Sequence, residues 1–183
     1  MPSDEKRLAD RKITVLRTAP DLSLGQATLT ALLHLPASES LVILFGDTLI
    51  RTEHTAELDQ LAVSKTSDYF QWAGVTRQDQ GLRLQMGYKV GGQNRKVACG
   101  LFSFSSSSLF VESLETTGDF LKAVEVYSTH REISELSVDE WYDFGHLPLL
   151  YRSRRDTLVS RAFNDLACDG VMVTKSSQDK DKM

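Results

Sequence analysis

The sequence LVILFGDTLIR, residues 41–51, carries the strongest indication of how this chain folds. Five apolar residues run without a break from Leu41 to Phe45, and they stop at Gly46-Asp47-Thr48. An unbroken apolar run rich in β-branched and aromatic residues is typical of a strand buried on both faces, as in a parallel sheet with helices on each side. We therefore predict an α/β protein with a Rossmann-like, mainly parallel sheet and this strand near its centre.

Asp47 stands at the carboxyl end of that predicted strand. Ligands of open α/β sheets bind outside the carboxyl ends of the strands, and Gly46 lets the backbone turn or approach a ligand closely because it has no Cβ. A carboxylate at this position can hold a divalent cation or a ribose hydroxyl. The alternative is that Asp47 begins a turn or caps the next helix, roles that Asp also favours.

The composition is that of an ordinary globular domain. The 183 residues are 41% hydrophobic and 25% charged, which is enough for one domain with a real core. The net charge of −4 gives no basic surface for nucleic acid and no attraction to a membrane. No apolar run is long enough to span a bilayer, and the N-terminus has no signal-peptide core. Cys99 and Cys168 lack metal-ligand spacing and are interpreted as reduced thiols in a cytoplasmic protein.

The residues around the first strand predict a β-loop-α-β unit. Residues 13–16 (ITVL) read as a strand, and residues 23–35 read as a helix with Ser23 as its N-cap. The helix would be a right-handed crossover between parallel strands. Residues 51–65 also have helix-like spacing, at Leu58, Leu61 and Ala62.

The second half of the chain predicts further strands and helices. Strands are expected at 69–75, 82–90, 97–104, 135–138 and 170–175, with a hairpin turn at 91–94. Helices are expected after the serine run at 105–108, which is interpreted as a turn and N-cap, at 120–127 with Asp119 as its candidate cap, and at 147–158. Gly100 inside its strand is typical of a bulge or of close approach by a ligand. The polar residues 176–183 are expected to be disordered.

A second acidic segment reads WYDFGH, residues 141–146, and again places a glycine within two positions of the acidic residue. Asp143 is a candidate metal ligand, although Asp-x-Gly is also common in turns. His146 is interpreted as a structural group, or as a group that hydrogen-bonds to the metal ligands, rather than as a general base.

Four segments in this order resemble the sugar-phosphate nucleotidyltransferases, also called sugar-nucleotide pyrophosphorylases, most closely those of capsule and surface-polysaccharide biosynthesis. They are Leu24-Gly25-Gln26-Ala27, Phe45 to Ile50, Ala98 to Phe102, and Trp141 to Gly145. The resemblance implies a three-layer fold of the GT-A-like type. It implies that the nucleotide is bound by Leu24, Gly25, Gln26 and Gly46, and that Asp47 and Asp143 are catalytic ligands of Mg²⁺. It implies that Gly100 lies against the sugar, with Lys89 nearby; on the residues alone, Gln26 could equally be an exposed helix residue.

The implied reaction joins a nucleoside triphosphate to a sugar phosphate or another small phosphorylated compound and releases pyrophosphate. Two anions must be brought together, and Mg²⁺ held by hard oxygen ligands such as Asp suits that task. A GT-A glycosyltransferase is a less favoured relative, because no D-x-D follows the strand at 41–45.

The chain also departs from the family pattern. It lacks the glycine-rich G-x-G-T-R-x-x-P-K loop, so residues 1–160 are expected to form a nucleotidyltransferase-like domain without its first βα unit. Residues 161–183 resemble the start of a phosphotransferase domain, and are otherwise a plain tail. The alternative function is therefore a non-catalytic fragment or a binding or scaffold module. A missing unit would leave an exposed strand edge that favours a homo-oligomer.

Overall fold

The computed structural model describes residues 16–35, 40–54, 57–66, 70–79, 81–86 and 95–153. The helices in these ranges are α1 (Leu24–Leu33), α2 (Ser107–Thr117), α3 (Phe120–His130) and α4 (Leu147–Ser153). The strands are β1 (Leu41–Leu44), β2 (Thr48–Arg51), β3 (Gln60–Thr66), β4 (Ala73–Gln78), β5 (Gly81–Met86), β6 (Arg95–Phe104), β7 (Ser134–Ser137) and β8 (Glu140–Asp143).

Several predicted features lie outside the described residues. They are the strand at 13–15, Lys89, the turn at 91–94, Cys168, the strand at 170–175 and the tail at 161–183. The predictions for these positions stay predictions.

A six-stranded sheet forms the centre of the molecule. Its order is β5-β4-β6-β3-β7, with β1 beside β6. Among the described strands of this sheet, the β3–β7 pair alone is parallel, and the others are antiparallel. The protein is therefore mixed α/β, but the expectation of a mainly parallel sheet is not met. Neighbouring strands such as β4 and β5 are joined by a tight connection, which only antiparallel strands allow.

Strand β1 differs from the buried central strand that its apolar run predicts. It pairs with β6 in antiparallel register, Leu41 opposite Phe104 and Leu44 opposite Leu101. Leu41 and Ile43 pack against the core, whereas Val42 and Leu44 are 60% and 57% exposed. The prediction that this strand is buried on both faces is therefore wrong. An uninterrupted apolar run does not indicate which faces of the strand are covered.

The helix predicted at residues 51–65 is also wrong, because residues 60–66 form strand β3. Leu61, Ala62 and Val63 are each buried. Three consecutive buried residues suit a strand inside a sheet that is covered on both faces, and β3 lies between β6 and β7. The helix-like spacing of Leu58, Leu61 and Ala62 in the sequence is therefore a coincidence.

Two hydrophobic clusters cover the two faces of the sheet. Successive strand residues point to opposite faces, and in β6 Phe102 and Phe104 pack with helices α2 and α3, whereas Val97 packs with Trp72 and Leu149 of α4. The larger cluster contains Phe110 and Tyr127. The smaller cluster lies under the β2–β8 ribbon and supports the candidate site.

The predicted helix caps are confirmed. Ser23 Oγ accepts from Gln26 N, Ser106 Oγ accepts from Leu109 N, and Asp119 Oδ1 accepts from Lys122 N. Each side chain satisfies a backbone N–H that has no partner inside its own helix.

Asp59 ties strand β3 to the helical layer. Its φ is 56°, which is uncommon for a residue with a side chain. Asp59 Oδ1 accepts from Ser105 N at 2.8 Å and from Tyr127 Oη at 2.6 Å. Burial alone would raise the pKa of Asp59, but the hydrogen bonds from Ser105 and Tyr127 outweigh it and hold the pKa below its ordinary value.

We expect Asp59→Asn to lower the free energy of unfolding at pH 7 by about 1–2 kcal/mol, since Asn keeps one acceptor but loses the charge. Asn also tolerates the left-handed conformation. A carboxylate with a lowered pKa in the folded protein stabilises above its unfolded pKa, about 3.9, and that contribution is lost as the pH falls through the folded pKa. Urea unfolding of the wild type and of Asp59→Asn, measured from neutral to strongly acidic pH, shows whether the difference in their free energies of unfolding decreases as the pH falls. A difference between wild type and variant that stays constant from neutral to strongly acidic pH would contradict the prediction.

Candidate functional site

The β2–β8 ribbon brings the two predicted metal ligands together. Thr48, the residue after Asp47, lies opposite Asp143 in the antiparallel register. Phe144 N donates to the backbone carbonyl of Asp47 at 2.8 Å. The two acidic segments that the sequence singled out are therefore neighbours in the structure.

Gly145 separates the two carboxylates. A Cβ placed on Gly145 would lie 2.7 Å from Asp47 Oδ2 and 3.2 Å from Asp143 Oδ1. Both oxygens thus lie against the same small space beside the glycine, and a side chain there would displace Asp47. A cation in this space would be attracted by both carboxylates.

Asp143 is held rigidly. Its Oδ2 accepts from Trp72 Nε1 and lies 2.9 Å from His146 Nδ1, and its Oδ1 accepts from Gly145 N at 2.7 Å. The side chain is 11% exposed. These donors fix the carboxylate and leave Oδ1 as the oxygen that faces Asp47.

Asp47 contrasts with Asp143. It is exposed, and its carboxylate has no hydrogen-bond partner among the described residues. Its side chain is therefore available for a ligand without any bond within the protein being broken.

A cluster of aromatic side chains packs next to the Asp143 carboxylate. The rings of Trp72 and Trp141 are 4.8 Å apart, and Phe70 lies 5.1 Å from both Trp72 and His146. Trp141 Nε1 donates to Thr48 Oγ1 at 2.8 Å, which orients the start of β2. The sequence around Trp72 predicted only a strand and not the contact with Asp143, because no local pattern links residues 71 positions apart.

Thr48 connects the ribbon to the central sheet by donating to the Cys99 carbonyl at 2.9 Å. The Cys99 side chain is 1% exposed, and burial raises the pKa of its thiol well above the usual range. This thiol is therefore protonated and inert at neutral pH, as the sequence predicted for a packing residue.

Gly100 supports the strand that leads to Asp47. Its φ is +85°, and Phe45 N donates to its carbonyl at 2.9 Å. A Cβ at this position would lie 3.1 Å from the Phe45 ring. Of the two alternatives that the sequence left open for Gly100, the bulge is supported, because the β3–β6 register shifts between Leu61 and Val63, opposite residues 98–102 of β6. Contact of Gly100 with a substrate stays a prediction.

The residues predicted to bind the nucleotide lie at the start of helix α1, apart from Gly46. Gln26 Oε1 accepts from Ser23 N at 3.0 Å and completes a capping box. Gly25 is buried against the turn before α3, where a Cβ would lie 2.7 Å from the Gly118 carbonyl oxygen. Leu24 is 50% exposed, and Gly46 is exposed with open space beside it. Gly25 and Gln26 therefore have structural roles, whether or not they also contact a ligand.

Two carboxylates suit Mg²⁺, which needs few protein ligands, better than a metal ion whose ligands all come from the protein. Among the described residues, no group of three or more His, Cys, Asp or Glu side chains is placed to hold a metal. Mg²⁺ is commonly held by one or two carboxylates, and water and substrate phosphate complete its coordination. Asp47 and Asp143 meet that requirement, whereas zinc and calcium sites use more protein ligands.

No protein-family model matches the chain, and no curated protein matches its sequence. In the part of the chain that the structure describes, no helix has both the length and the apolar character needed to cross a membrane.

Proposed function

We propose that this protein is a magnesium-dependent protein of the nucleotidyltransferase type. It would transfer a nucleotidyl group from a nucleoside triphosphate to a sugar phosphate or another small phosphorylated compound, for surface-polysaccharide biosynthesis. One observation carries the proposal: Asp47 and Asp143, far apart in sequence, direct their oxygens to the same space beside Gly145. Nucleoside triphosphates as substrates favour a cytoplasmic location.

The two carboxylates have different tasks in this proposal. Asp143, fixed by Trp72, His146 and Gly145, would hold the ion in a defined position. Asp47 is exposed and its carboxylate has no hydrogen-bond partner among the described residues, so it would be free to bind the ion as the second ligand. Bound Mg²⁺ supplies charge neutralisation for the triphosphate and the leaving pyrophosphate. Such a site would hold two anionic substrates in place, and positioning with charge stabilisation is most of what phosphoryl-transfer chemistry requires of a protein.

The architecture supports the proposal in outline. Helices α2 and α3 lie on one face of the sheet, and the β2–β8 ribbon and α4 lie on the other. We propose that this arrangement is a three-layer fold of the nucleotidyltransferase type. Val42 and Leu44 of β1 are exposed, and a homo-oligomer is one way to cover them.

A second function, a non-catalytic binding module, is favoured by a specific observation. Gly25 and Gln26, which the family resemblance assigns to the nucleotide base, are both used in the packing and capping of α1. Such a module would bind a cation and a phosphorylated ligand without turning them over.

Calorimetry with nucleoside triphosphates and sugar nucleotides, each with and without Mg²⁺, tests the proposal. We expect one nucleotide to bind only when Mg²⁺ is present. Release of pyrophosphate on addition of a phosphorylated acceptor would establish transfer, and binding without release would favour the non-catalytic module. If no nucleotide binds with Mg²⁺, the proposed function is wrong.

Trp72→Phe tests whether the indole N–H that orients Asp143 matters for the ion. We expect the affinity for Mg²⁺ to fall about tenfold, as is typical when a hydrogen-bond partner of a metal ligand is lost. Trp141→Phe is the matched control, because its indole donates to Thr48 and not to a carboxylate. Equal affinity losses in the two variants, measured by Mg²⁺ titration, would show that ring packing and not the hydrogen bond is responsible.

A further inference from the structure

We propose that the hydroxylated body of the phosphorylated acceptor occupies a cavity between β3, β8 and α4, while its phosphate is bound at Asp47 and Asp143. The inference rests on the proposed function, because it takes the position of the phosphate from the metal site. It adds where the rest of the acceptor lies, and it limits the acceptor to a small hydroxylated compound, up to the size of a hexose phosphate or a polyol phosphate.

The cavity adjoins the candidate metal site. It has a volume of about 240 Å³, and Asp143 forms part of its wall. The same residue directs its Oδ1 to the space beside Gly145 that it shares with Asp47. A phosphate bound to an ion at the two carboxylates would therefore lie next to the cavity, and the group that the phosphate carries would extend along Asp143 into it.

Strand β3 presents hydroxyl groups to the cavity. Ser64 is directly opposite Val97 in the antiparallel register, and residues paired in this way have their side chains on the same face of the sheet. Val97 packs with Trp72 and Leu149, so the Ser64 side chain lies on the face that carries the β2–β8 ribbon. Thr66 lies on the same face, two residues further along β3. Both residues line the cavity.

The Ser64 hydroxyl is available to a ligand. It has no hydrogen-bond partner among the described residues. It is also not one of the buried side-chain atoms without a partner in that part of the chain, so it is accessible. A serine hydroxyl can donate one hydrogen bond and accept others, which suits the hydroxyl groups of a sugar or a polyol.

The other walls of the cavity fit a carbon skeleton and a negative charge. Trp141 of β8 and Leu149 of α4 supply apolar surface, and Arg152 of α4 is also part of the lining. Sugars and polyols have apolar C–H groups between their hydroxyl groups, and ligand pockets commonly combine an apolar lining with a few polar groups. The charge of Arg152 favours an anionic ligand. The lining thus suits a phosphorylated sugar or polyol.

The size of the cavity identifies which of the two substrates it admits. Pockets for drug-sized ligands have volumes of about 300–1,000 Å³. A cavity of about 240 Å³ is therefore too small for a nucleoside triphosphate but has room for the body of a small acceptor. The family resemblance instead places the sugar against Gly100, where a Cβ would lie 3.1 Å from the Phe45 ring. That ring leaves less room beside Gly100 than the cavity offers.

Two substitutions at Ser64 test the cavity. Ser64→Leu fills it with a larger apolar side chain, whereas Ser64→Ala removes only the hydroxyl. Ser137→Leu and Ser137→Ala are the matched controls, because Ser137 is an exposed serine of β7 that does not line the cavity. Calorimetry compares inorganic phosphate with glycerol 3-phosphate and glucose 1-phosphate. It is done with Mg²⁺ and the α,β-methylene analogue of the nucleotide that binds, because this analogue cannot be cleaved between its α- and β-phosphorus atoms.

We expect the wild-type protein to bind at least one of the two organic phosphates about tenfold more tightly than inorganic phosphate, the effect of one or two hydrogen bonds. Ser64→Leu should abolish this gain, and Ser64→Ala should reduce it about threefold to fivefold. Both variants should keep the wild-type affinities for Mg²⁺ and the nucleotide. The Ser137 variants should behave as the wild type in every titration. If Ser64→Leu does not fold, Ser64→Ala alone decides.

Three results overturn the inference while nucleotide binding stands. They are a gain that persists in the Ser64 variants, an equal loss of the gain in the Ser137 variants, and a wild-type protein that binds the organic phosphates no better than inorganic phosphate. A loss of nucleotide affinity in Ser64→Leu also overturns it, because the nucleotide would then occupy the cavity. Failure of the proposed function looks different: no nucleotide binds the wild type with Mg²⁺, and the inference fails with it.

Discussion

Asp47→Asn should lower the affinity for Mg²⁺ by more than about 100-fold, because the loss of even an outer-shell partner commonly costs 10–100-fold. The variant removes the negative charge of a proposed metal ligand and changes the size of the side chain very little. Asp47 is exposed, and its carboxylate has no hydrogen-bond partner among the described residues. The free energy of unfolding without metal should therefore stay within about 0.5 kcal/mol of the wild-type value. Calorimetric titration with MgCl₂, with and without nucleotide, measures the affinity.

Asp21→Asn is the matched control for this prediction. Asp21 is an exposed aspartate in the loop before α1, so its replacement changes the net charge by the same amount at a different place. We expect its Mg²⁺ affinity to equal that of the wild type. If Asp47→Asn binds Mg²⁺ and nucleotide as well as Asp21→Asn does, the two carboxylates are not a metal site, and the proposed function loses the observation that carries it.

Gly25→Ala should lower the free energy of unfolding by about 2 kcal/mol or more, the range for a methyl group forced into a filled space. Its Cβ would lie 2.7 Å from the Gly118 carbonyl oxygen and 2.9 Å from Phe120 N. Both are backbone atoms at the start of α3, so they cannot move aside as a side chain end does. Helix α1 would have to shift away from the helical layer. Thermal unfolding should show the midpoint lowered by several degrees.

Gly46→Ala is the control for Gly25→Ala. Nothing lies within 4 Å of a Cβ at Gly46, so its stability should not change by more than about 0.5 kcal/mol. The pair also separates the two interpretations of Gly25. If Gly25 served only the nucleotide, its replacement would weaken nucleotide binding and leave the unfolding midpoint where it is, which is the opposite of the result expected here.

The sequence predicted local features well. The caps at Ser23, Ser106 and Asp119, the strand around Gly100 and the helix after Asp119 are all present, because each depends on residues a few positions apart. The pairing of Asp47 with Asp143 was also expected, but only from the resemblance of two segments to one family, since neither periodicity nor spacing relates residues so distant.

The remaining features depend on long-range pairing, which no local pattern contains. Whether the apolar run at 41–45 is buried on both faces depends on its neighbours, and the structure pairs it with β6 in antiparallel register. Residues 60–66 carry apolar residues that fit a helix or a strand, and their place between β6 and β7 selects the strand. Trp72 and Gly145 contact the candidate metal ligands because the β2–β8 ribbon packs against the sheet.

The β2–β8 ribbon also has a consequence for the order of folding. Thr48 and Trp141, which are bonded across it, are 93 residues apart in the chain. Closing so long a loop costs more chain entropy than forming the helices or the β4–β5 hairpin, so such contacts tend to form late. The carboxylate pair would then come into existence only after the sheet and helices between its two halves had assembled. Acquisition of Mg²⁺ affinity during refolding would thus mark the final step, and a chain arrested before it would have secondary structure but no site.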